Sequence, residues 1–349
     1  MKALVVQRAE ASAGALVGKM LCHDVRDSSG QLLGRKGAPL DAGAAERLLR
    51  GQWTELHLLE LGPEDIHEEE AGRRLARAAV GDGVEVKGYA GGQWPLASSR
   101  RGLLKVRTEV LFSVNAVEGV SVFTLFDGQP VEAGEVVARA KVTPLAISAA
   151  IVAEVERVAR DAGGLLLVSA FKPFTIGAVA RESLDEPQRS RFESALREKI
   201  TWFGSHLLPV RSAASDPRAV AREMEALKAQ GTEIFIVAGT SALDPLDPVF
   251  GALSLLGVRT ERHGAPAHPG SLFWLAYWAE RPVIGMPTCG MFSQATTFDL
   301  ILPRLLIGER VGSTEIAVLG HGGLLSREMS FRFPSYRAHA NRGELPEDS

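Results

Sequence analysis

The segment Ile234-Phe-Ile-Val-Ala-Gly-Thr-Ser-Ala-Leu-Asp-Pro-Leu-Asp-Pro248 identifies the fold class. Residues 232 to 237 are mostly apolar and β-branched, which is typical of a parallel strand covered on both faces. Asp247 and Pro248 suit the cap and the first turn of a helix. A strand that leads into a helix through small residues predicts an α/β protein with an anion site, because loop N–H groups and a helix N-terminus favour negative charge.

Three small residues of that loop are the first candidate ligand contacts. Gly239 allows a phosphate to approach the backbone closely, and the hydroxyl groups of Thr240 and Ser241 can donate hydrogen bonds to it. The alternative is an ordinary turn between a strand and a helix that carries capping residues only.

A second junction lies further along the chain. The Gly/Pro-rich segment His263–Ser271 leads into the apolar run Leu272–Trp278, and the strand-like segment that starts at Pro282 ends in a second such loop, Pro287–Gly290. In an open parallel sheet, ligands bind outside the carboxyl ends of the strands, where such loops gather. The two junctions therefore predict one shared binding site.

These segments resemble the molybdenum-cofactor-biosynthesis domain family, which includes molybdopterin adenylyltransferases and molybdopterin molybdotransferases. The loop at 238 to 248 is similar to the family's Gly-Gly-Thr/Met-Gly/Ser loop with its following acids. Val283–Gly290 is similar to the strand that ends in Gly-Leu-Pro-Gly, and Phe298–Gly308 to the helix that closes the domain. The resemblance covers about Lys172 to Val311.

The resemblance implies a fold, a ligand and a set of site residues. The fold is α/β, a three-layer, mostly parallel sheet preceded by a smaller mixed α+β domain. The ligand or substrate is molybdopterin, with Mg²⁺ as a possible metal at Asp244, and the partners are a molybdoenzyme and further copies of the chain. The cofactor-binding residues expected are Gly239, Thr240, Ser241, His268, Pro269, Gly270, Ser271, Pro287, Thr288, Cys289 and Gly290.

Two departures from the family pattern bear on activity. The family's Ser/Thr-Gly-Asp/Asn-Glu loop is replaced here by Ala180-Arg-Glu-Ser183, and its Lys-Pro-Gly-Lys segment by His268-Pro-Gly-Ser271. Both lysines, which suit phosphate and molybdate oxygens as point cations, are missing. We therefore expect cofactor binding or delivery, with an active Mg²⁺-dependent molybdotransferase or adenylyltransferase as the alternative. A ligand-sensing or carrier subunit of a molybdoenzyme is a further alternative.

Asp244 and Asp247 are the candidate catalytic residues. Paired carboxylates beside a phosphate site can hold Mg²⁺, which prefers oxygen ligands. The alternative makes Asp247 a helix cap and Asp244 a turn residue, and the two interpretations can coexist. Cys289 is either a reactive thiol before a helix or a small buried filler. Trp274, Tyr277 and Trp278 have helical spacing and are interpreted as core or oligomer contacts.

Composition agrees with a ligand-binding or enzyme-like chain. Its 349 residues carry a net charge of −3, which gives no electrostatic reason to expect nucleic acid or an anionic membrane as a partner. Two cysteines are too few for a disulfide scaffold, and no apolar stretch has membrane-spanning length, so we expect a cytoplasmic protein.

Periodicity predicts the domain organisation. Short alternating runs up to residue 143 indicate a mixed α+β domain, and regular strand–helix alternation from 172 to 312 indicates the α/β domain. A helix opened by Pro144 and a strand connect the two over 144 to 171, and 313 to 349 form a C-terminal extension. A dehydrogenase is disfavoured because no Gly-x-Gly-x-x-Gly follows a strand.

Overall fold

The computed structural model describes residues 1–181, 185–240, 242–286 and 295–336, and the chain folds into two compact units. The first comprises Met1–Ser99, Val106–Leu125 and Gly134–Leu167. The second comprises Arg100–Lys105, Phe126–Ala133 and the chain from Val168 onward. The domain boundaries expected from periodicity stay a prediction.

The elements are numbered in chain order. The strands are β1 Lys2–Gln7, β2 Met20–Leu21, β3 Val25–Arg26, β4 Leu32–Gly34, β5 Glu55–Glu60, β6 Asp65–His67, β7 Val84–Val86, β8 Trp94–Ser98, β9 Gly102–Val106, β10 Val120–Thr124, β11 Pro130–Val131, β12 Val136–Val142, β13 Ala146–Ser148, β14 Leu166–Ala170, β15 Thr175–Arg181, β16 His206–Leu207, β17 Arg211–Ala213, β18 Ile234–Ala238, β19 Arg259–His263, β20 Trp274–Trp278 and β21 Arg281–Met286. The α-helices are α1 Ala13–Leu16, α2 Ala42–Arg50, α3 Glu68–Ala79, α4 Thr108–Asn115, α5 Ala149–Asp161, α6 Glu186–Trp202, α7 Pro217–Ala229, α8 Pro248–Leu255, α9 Thr297–Leu306 and α10 Ser313–Ala317.

The first unit is built from small antiparallel sheets and short helices. Its sheets have the strand orders β1-β5-β2, β10-β12-β8-β7, β13-β6 and β3-β4. Leu48 of α2 is buried with Leu56 and Leu58 of β5, so α2 packs on the sheet β1-β5-β2. The predicted mixed α+β character of this part of the chain is confirmed.

The second unit is organised around a seven-stranded, mostly parallel sheet. The strand order is β16-β15-β18-β21-β20-β19, and β17 also pairs with β15. The pairs among β15, β16, β17, β18 and β21 are parallel, whereas β20 pairs antiparallel with both of its neighbours, β21 and β19. The predicted mostly parallel sheet in the C-terminal half is therefore confirmed.

Helices cover both faces of this sheet, and the central strand β18 is buried on both sides. Ile234 and Ile236 are buried in a core that includes Phe192 of α6 and Ile301 of α9. Phe235 and Val237 point the other way, into a core shared with Met224 of α7 and Ala252 of α8. A strand buried on both faces needs apolar side chains at every position, which explains the unbroken apolar run.

Local sequence signals place most helix ends in the second unit. Asp185 and Gln188 form a capping box at the start of α6. Gly231, at φ 86°, donates its N–H to Lys228 at the end of α7. Ser215 is a residue type that often caps a helix, but the N-cap of α7 is Asp216, whose carboxylate accepts the N–H of Ala219.

Three segments before residue 150 differ from the structure that their local sequence predicts. The helix expected from Pro144 begins at Ala149 with Ser148 as its cap, because residues 146 to 148 pair with β6. The alternating run at 109 to 114 is helix α4 and not a strand. The Asp127-Gly128 turn does not close a hairpin, since β10 pairs with β12 and β11 pairs with β9.

The helical spacing of Trp274, Tyr277 and Trp278 does not mark a helix, because these residues belong to β20. Their interpretation as core residues is confirmed for Trp274 and Tyr277, which are buried in cores on opposite faces of the sheet. Burial on both faces removes the polar alternation that normally marks a strand, and the aromatic spacing then imitates a helix.

No helix in the described part of the chain is long and apolar enough to cross a membrane.

The Trp274 indole packs over Gly285 of the neighbouring strand. Trp274 is fully buried and lies directly opposite Gly285 in the antiparallel register. A Cβ added at Gly285 would overlap the indole ring, so the ring occupies the space that a side chain would fill. The position of the indole over the face of β21 therefore requires glycine at residue 285.

We predict that Gly285→Ala destabilises the second unit by about 1–3 kcal/mol, because the added methyl overpacks a closed core. The measurement is urea unfolding of the full-length protein followed by tryptophan fluorescence. Gly320→Ala is the matched control, since its added Cβ would meet Pro266 only at an ordinary contact distance of 3.5 Å. Equal unfolding midpoints for the two variants would contradict the role assigned to Gly285.

Candidate functional site

The loop after β18 is fastened to the neighbouring strand by its own backbone. Gly239, at φ 78°, donates its N–H to the carbonyl oxygen of Met286 at 3.0 Å. The N–H of Thr240 points to the same oxygen at 3.4 Å. The phosphate contact predicted for these two N–H groups requires them to leave Met286, and it stays a prediction.

Thr240 has a structural role that the sequence did not indicate. Its side chain is buried, and its hydroxyl donates to the carbonyl oxygen of Val237 at 3.3 Å. The Thr240 hydroxyl oxygen in turn accepts the indole N–H of Trp274 at 3.1 Å. The residue therefore joins the loop to β20 and satisfies a buried indole donor.

The loop before β20 meets the loop after β18 directly. Ala242 donates its N–H to the carbonyl oxygen of Leu272 at 3.1 Å. Together with the hydrogen bond from Trp274 to Thr240, this contact places the loop after β18 beside the two residues that closely follow the predicted loop His263–Ser271, at the carboxyl-terminal end of β18. The structure thus places side by side two segments that the sequence separates by about thirty residues.

The backbone of residues 268 to 271 is held on two sides. His268 pairs with the segment after Gly322, donating its N–H to Gly323 at 2.8 Å and accepting that of Leu325 at 2.7 Å. The carbonyl oxygen of Pro269 accepts the N–H of Thr297, the first residue of α9, at 3.0 Å. The side chains of His268 and Ser271 are exposed, so these two predicted site residues can reach a ligand in solvent.

Gly270 explains part of this loop's sequence. Its φ is 105°, and an added Cβ would lie 2.9 Å from the hydroxyl oxygen of Thr297. Glycine is therefore required both by backbone conformation and by the approach of α9.

The two candidate catalytic carboxylates make local hydrogen bonds. Asp247 is the N-cap of α8, and its buried carboxylate accepts the N–H of Val249 at 3.0 Å, which confirms the cap interpretation. Asp244 is exposed, and its carboxylate accepts the N–H of Leu246 at 2.9 Å. Among residues 1–181, 185–240, 242–286 and 295–336, no group of three His, Cys, Asp or Glu side chains could hold a metal. The Mg²⁺ site at Asp244 and the catalytic roles of both residues stay predictions.

Several predicted site residues lie outside the described residues. These are Ser241, Pro287, Thr288, Cys289 and Gly290, together with Glu182 and Ser183 of the altered family loop.

A buried polar cluster at the start of α9 was not predicted from the sequence. Asp299 accepts hydrogen bonds from Thr296, from the ammonium group of Lys199 at 2.7 Å and from the hydroxyl group of Tyr336 at 3.2 Å. Burial raises the pKa of Tyr336 well above its usual value, and the charge of Asp299 and their hydrogen bond add to the increase. The Thr296-x-x-Asp299 spacing of a capping box is the local signal for part of this cluster.

The cluster fixes the start of α9, the helix that follows Pro287–Gly290 in the sequence. The Asp299 carboxylate is almost fully buried and Lys199 is 12% exposed, so both charges depend on each other for compensation. Lys199 belongs to α6 and Asp299 to α9, which holds the N-terminus of α9 against the neighbouring helix.

We predict that Thr240→Val destabilises the protein by about 1–3 kcal/mol, because the buried indole N–H of Trp274 loses its acceptor. Thr240→Ser, which keeps the hydroxyl group, is the matched control. In a Trp274→Phe background, which removes the donor, the Thr240→Val substitution should cost less. A double-mutant cycle from urea unfolding measures the difference, and equal costs in the two backgrounds would show that this hydrogen bond contributes nothing.

No family model and no curated protein matches this chain. Among solved structures, it is similar to a molybdopterin biosynthesis MoeA protein from Pyrococcus horikosii, with a TM-score of 0.30 and 13% identity over 70% of this chain and 79% of that chain. It is also similar to a putative molybdenum cofactor biosynthesis protein from Corynebacterium diphtheriae, with a TM-score of 0.29 and 10% identity over 38% of this chain and 94% of that chain. These values show a distant structural likeness and do not establish a family.

Proposed function

We propose that the second unit binds molybdopterin at the carboxyl-terminal edge of β18 and acts in biosynthesis or delivery of the molybdenum cofactor. The observation that carries this proposal is that the loop after β18 contacts the start of the segment that follows the predicted loop His263–Ser271, through the hydrogen bonds from Ala242 to Leu272 and from Trp274 to Thr240. The order of three family-like motifs between Lys172 and Val311 supports the choice of ligand.

The exposed groups at this edge suit capture of a phosphorylated ligand. Ser271 offers a hydroxyl donor and His268 an imidazole that can donate to a phosphate oxygen. The carboxylate of Asp244 is exposed on the adjoining loop and can contact a ligand hydroxyl group or a hydrated Mg²⁺ ion. Thr240, whose hydroxyl is committed to Val237 and Trp274, acts in this proposal by holding the loop in place.

The hydrogen-bond donors at this site favour binding of molybdopterin over transfer of a group to or from it. The predicted site residues include no lysine or arginine, whereas the family segment resembling His268–Ser271 carries two lysines. Cations placed on transferring oxygens stabilise charge that develops in a transition state, while neutral donors can still hold a ground-state phosphate. The proposal therefore assigns binding or delivery, with the Mg²⁺-dependent transferase as the second candidate.

The first test is direct. The full-length protein, expressed in a host that makes molybdopterin, should release a fluorescent pterin when it is denatured. Ser271→Asp should lower affinity about tenfold or more, equivalent to about 1.4 kcal/mol, because it places a carboxylate beside the phosphate. Ser271 is a better probe than Gly239, since a side chain at φ 78° would also strain the backbone.

The matched control for that variant is Gln230→Asp, at an exposed position that precedes β18 and so lies at its opposite end. This change should leave the pterin content unaltered. Wild-type protein without pterin, or a Ser271→Asp variant that retains it fully, would refute binding at this edge.

The second test separates delivery from catalysis. We expect the unmodified protein to show no Mg²⁺- and molybdate-dependent conversion of molybdopterin, measured by molybdenum incorporation into the pterin. The double variant His268→Lys and Ser271→Lys should gain measurable molybdenum incorporation. Both positions are exposed, and the two introduced lysines supply the cations that the family segment carries. Efficient turnover by the unmodified protein that Asp244→Asn abolishes would replace the delivery proposal with the transferase.

A further inference from the structure

A cavity lies at the amino-terminal edge of the seven-stranded sheet, away from the candidate site described above. Its volume is about 230 Å³. Its walls include Ile234, the first residue of β18, and Pro282, near the start of β21. Phe174, immediately before β15, also lines it. The loops that follow β18 leave from the other end of the strand, so the two locations are distinct.

The lining of this cavity combines an apolar, partly aromatic part with the charged residues Glu280, Glu309 and Arg310. Phe174, Ile234, Pro282 and Leu305 contribute apolar walls, and Tyr277 contributes its ring. The hydroxyl group of Tyr277 is already engaged, because it donates to the carbonyl oxygen of Val311 at 2.9 Å and accepts the N–H of the same residue at 3.1 Å. The surface therefore suits a flat apolar group with few polar atoms.

The carboxylates near the mouth are each matched by cations. Arg310 lies over the Tyr277 ring at 4.1 Å and pairs with Glu280 at 3.3 Å and Glu261 at 3.6 Å. A separate group joins Glu309 to Lys105 at 3.1 Å and to Arg304 at 3.3 Å. Of these six charged residues, Glu280, Glu309 and Arg310 line the cavity, and each of them is already part of an ion pair.

Lys172 adds a cation that has no such partner. Gly308 lines the cavity, and a Cβ added to it would lie 2.7 Å from the ammonium nitrogen of Lys172. The ammonium group of Lys172 therefore lies beside the cavity. Within the described ranges of the chain, that nitrogen makes no hydrogen bond or ion pair. Arg310 follows Gly308 by two residues, so two cations border one side of the opening.

We propose that this cavity binds a small organic carboxylate. The carboxylate group lies between Lys172 and Arg310, and an apolar body the size of a single aromatic ring packs against Phe174 and Tyr277. The volume is below the lower limit of about 300 Å³ for pockets that hold drug-sized ligands, which disfavours a nucleotide or a pterin here. The site is independent of the molybdopterin proposal, because the two share no residue.

Fluorine NMR of the full-length protein tests this site with para-fluorobenzoate as the probe. We expect saturable binding, and we expect Lys172→Gln and Arg310→Gln each to weaken it roughly fivefold. Lys228→Gln is the matched control, since this lysine lies over Trp278 at 3.8 Å and does not line the cavity. The cation para-fluorobenzylammonium, which has the same ring and the opposite charge, should not bind.

Three results would overturn the proposal. They are no binding of para-fluorobenzoate at millimolar concentration, equal affinity in the wild type and both cavity variants, or equal binding of the ammonium probe. Retained benzoate binding in Ser271→Asp would show that the signal does not come from the carboxyl-terminal edge. Phe174→Ala provides a second readout, because loss of the aromatic wall should weaken binding without changing charge.

Discussion

The packing of the Trp274 indole against Gly285 is the contact on which the second unit depends. Because glycine has no side chain, the indole lies over the face of β21 at Gly285, and its N–H reaches the hydroxyl group of Thr240 at 3.1 Å. Phe250 of α8 lies against the same ring, with centroids 5.5 Å apart. One aromatic residue thus connects two strands, the loop after β18 and the helix that follows that loop.

This arrangement decides which groups remain for a ligand. The N–H groups of Gly239 and Thr240 point to Met286, and the Thr240 hydroxyl is used twice within the fold. A buried donor that loses its partner costs about 1–3 kcal/mol, so these groups stabilise the loop more readily than they bind a ligand. Ligand contacts therefore fall to exposed side chains such as Ser271 and His268, whose loop is positioned by backbone bonds to α9 and to Gly323.

The sequence predicted the features that depend on neighbouring residues. The strand at 234 to 238 and the Asp247 cap follow from an apolar run and a single capping side chain, both of which are local signals. The strand β20 was misinterpreted because it is buried on both faces and has no alternation. The ion pair between Lys199 and Asp299 joins residues one hundred positions apart, and no local pattern reports such a distance. The partners of Thr240 were missed for the same reason, since Trp274 is placed by strand pairing and not by spacing.

The two edges of the sheet differ in how they can attract an anion. The amino-terminal edge carries the cations Lys172 and Arg310 beside an apolar cavity, so its attraction for a carboxylate should fall as salt screens those charges. The candidate site at the other edge offers a hydroxyl group, an imidazole and a carboxylate, and none of its predicted residues is lysine or arginine. A phosphate held there depends on directed hydrogen bonds from neutral donors, whose strength changes little with ionic strength. Such a site gains selectivity from geometry and releases its ligand without separating a fixed ion pair, which is the behaviour that delivery of a cofactor requires.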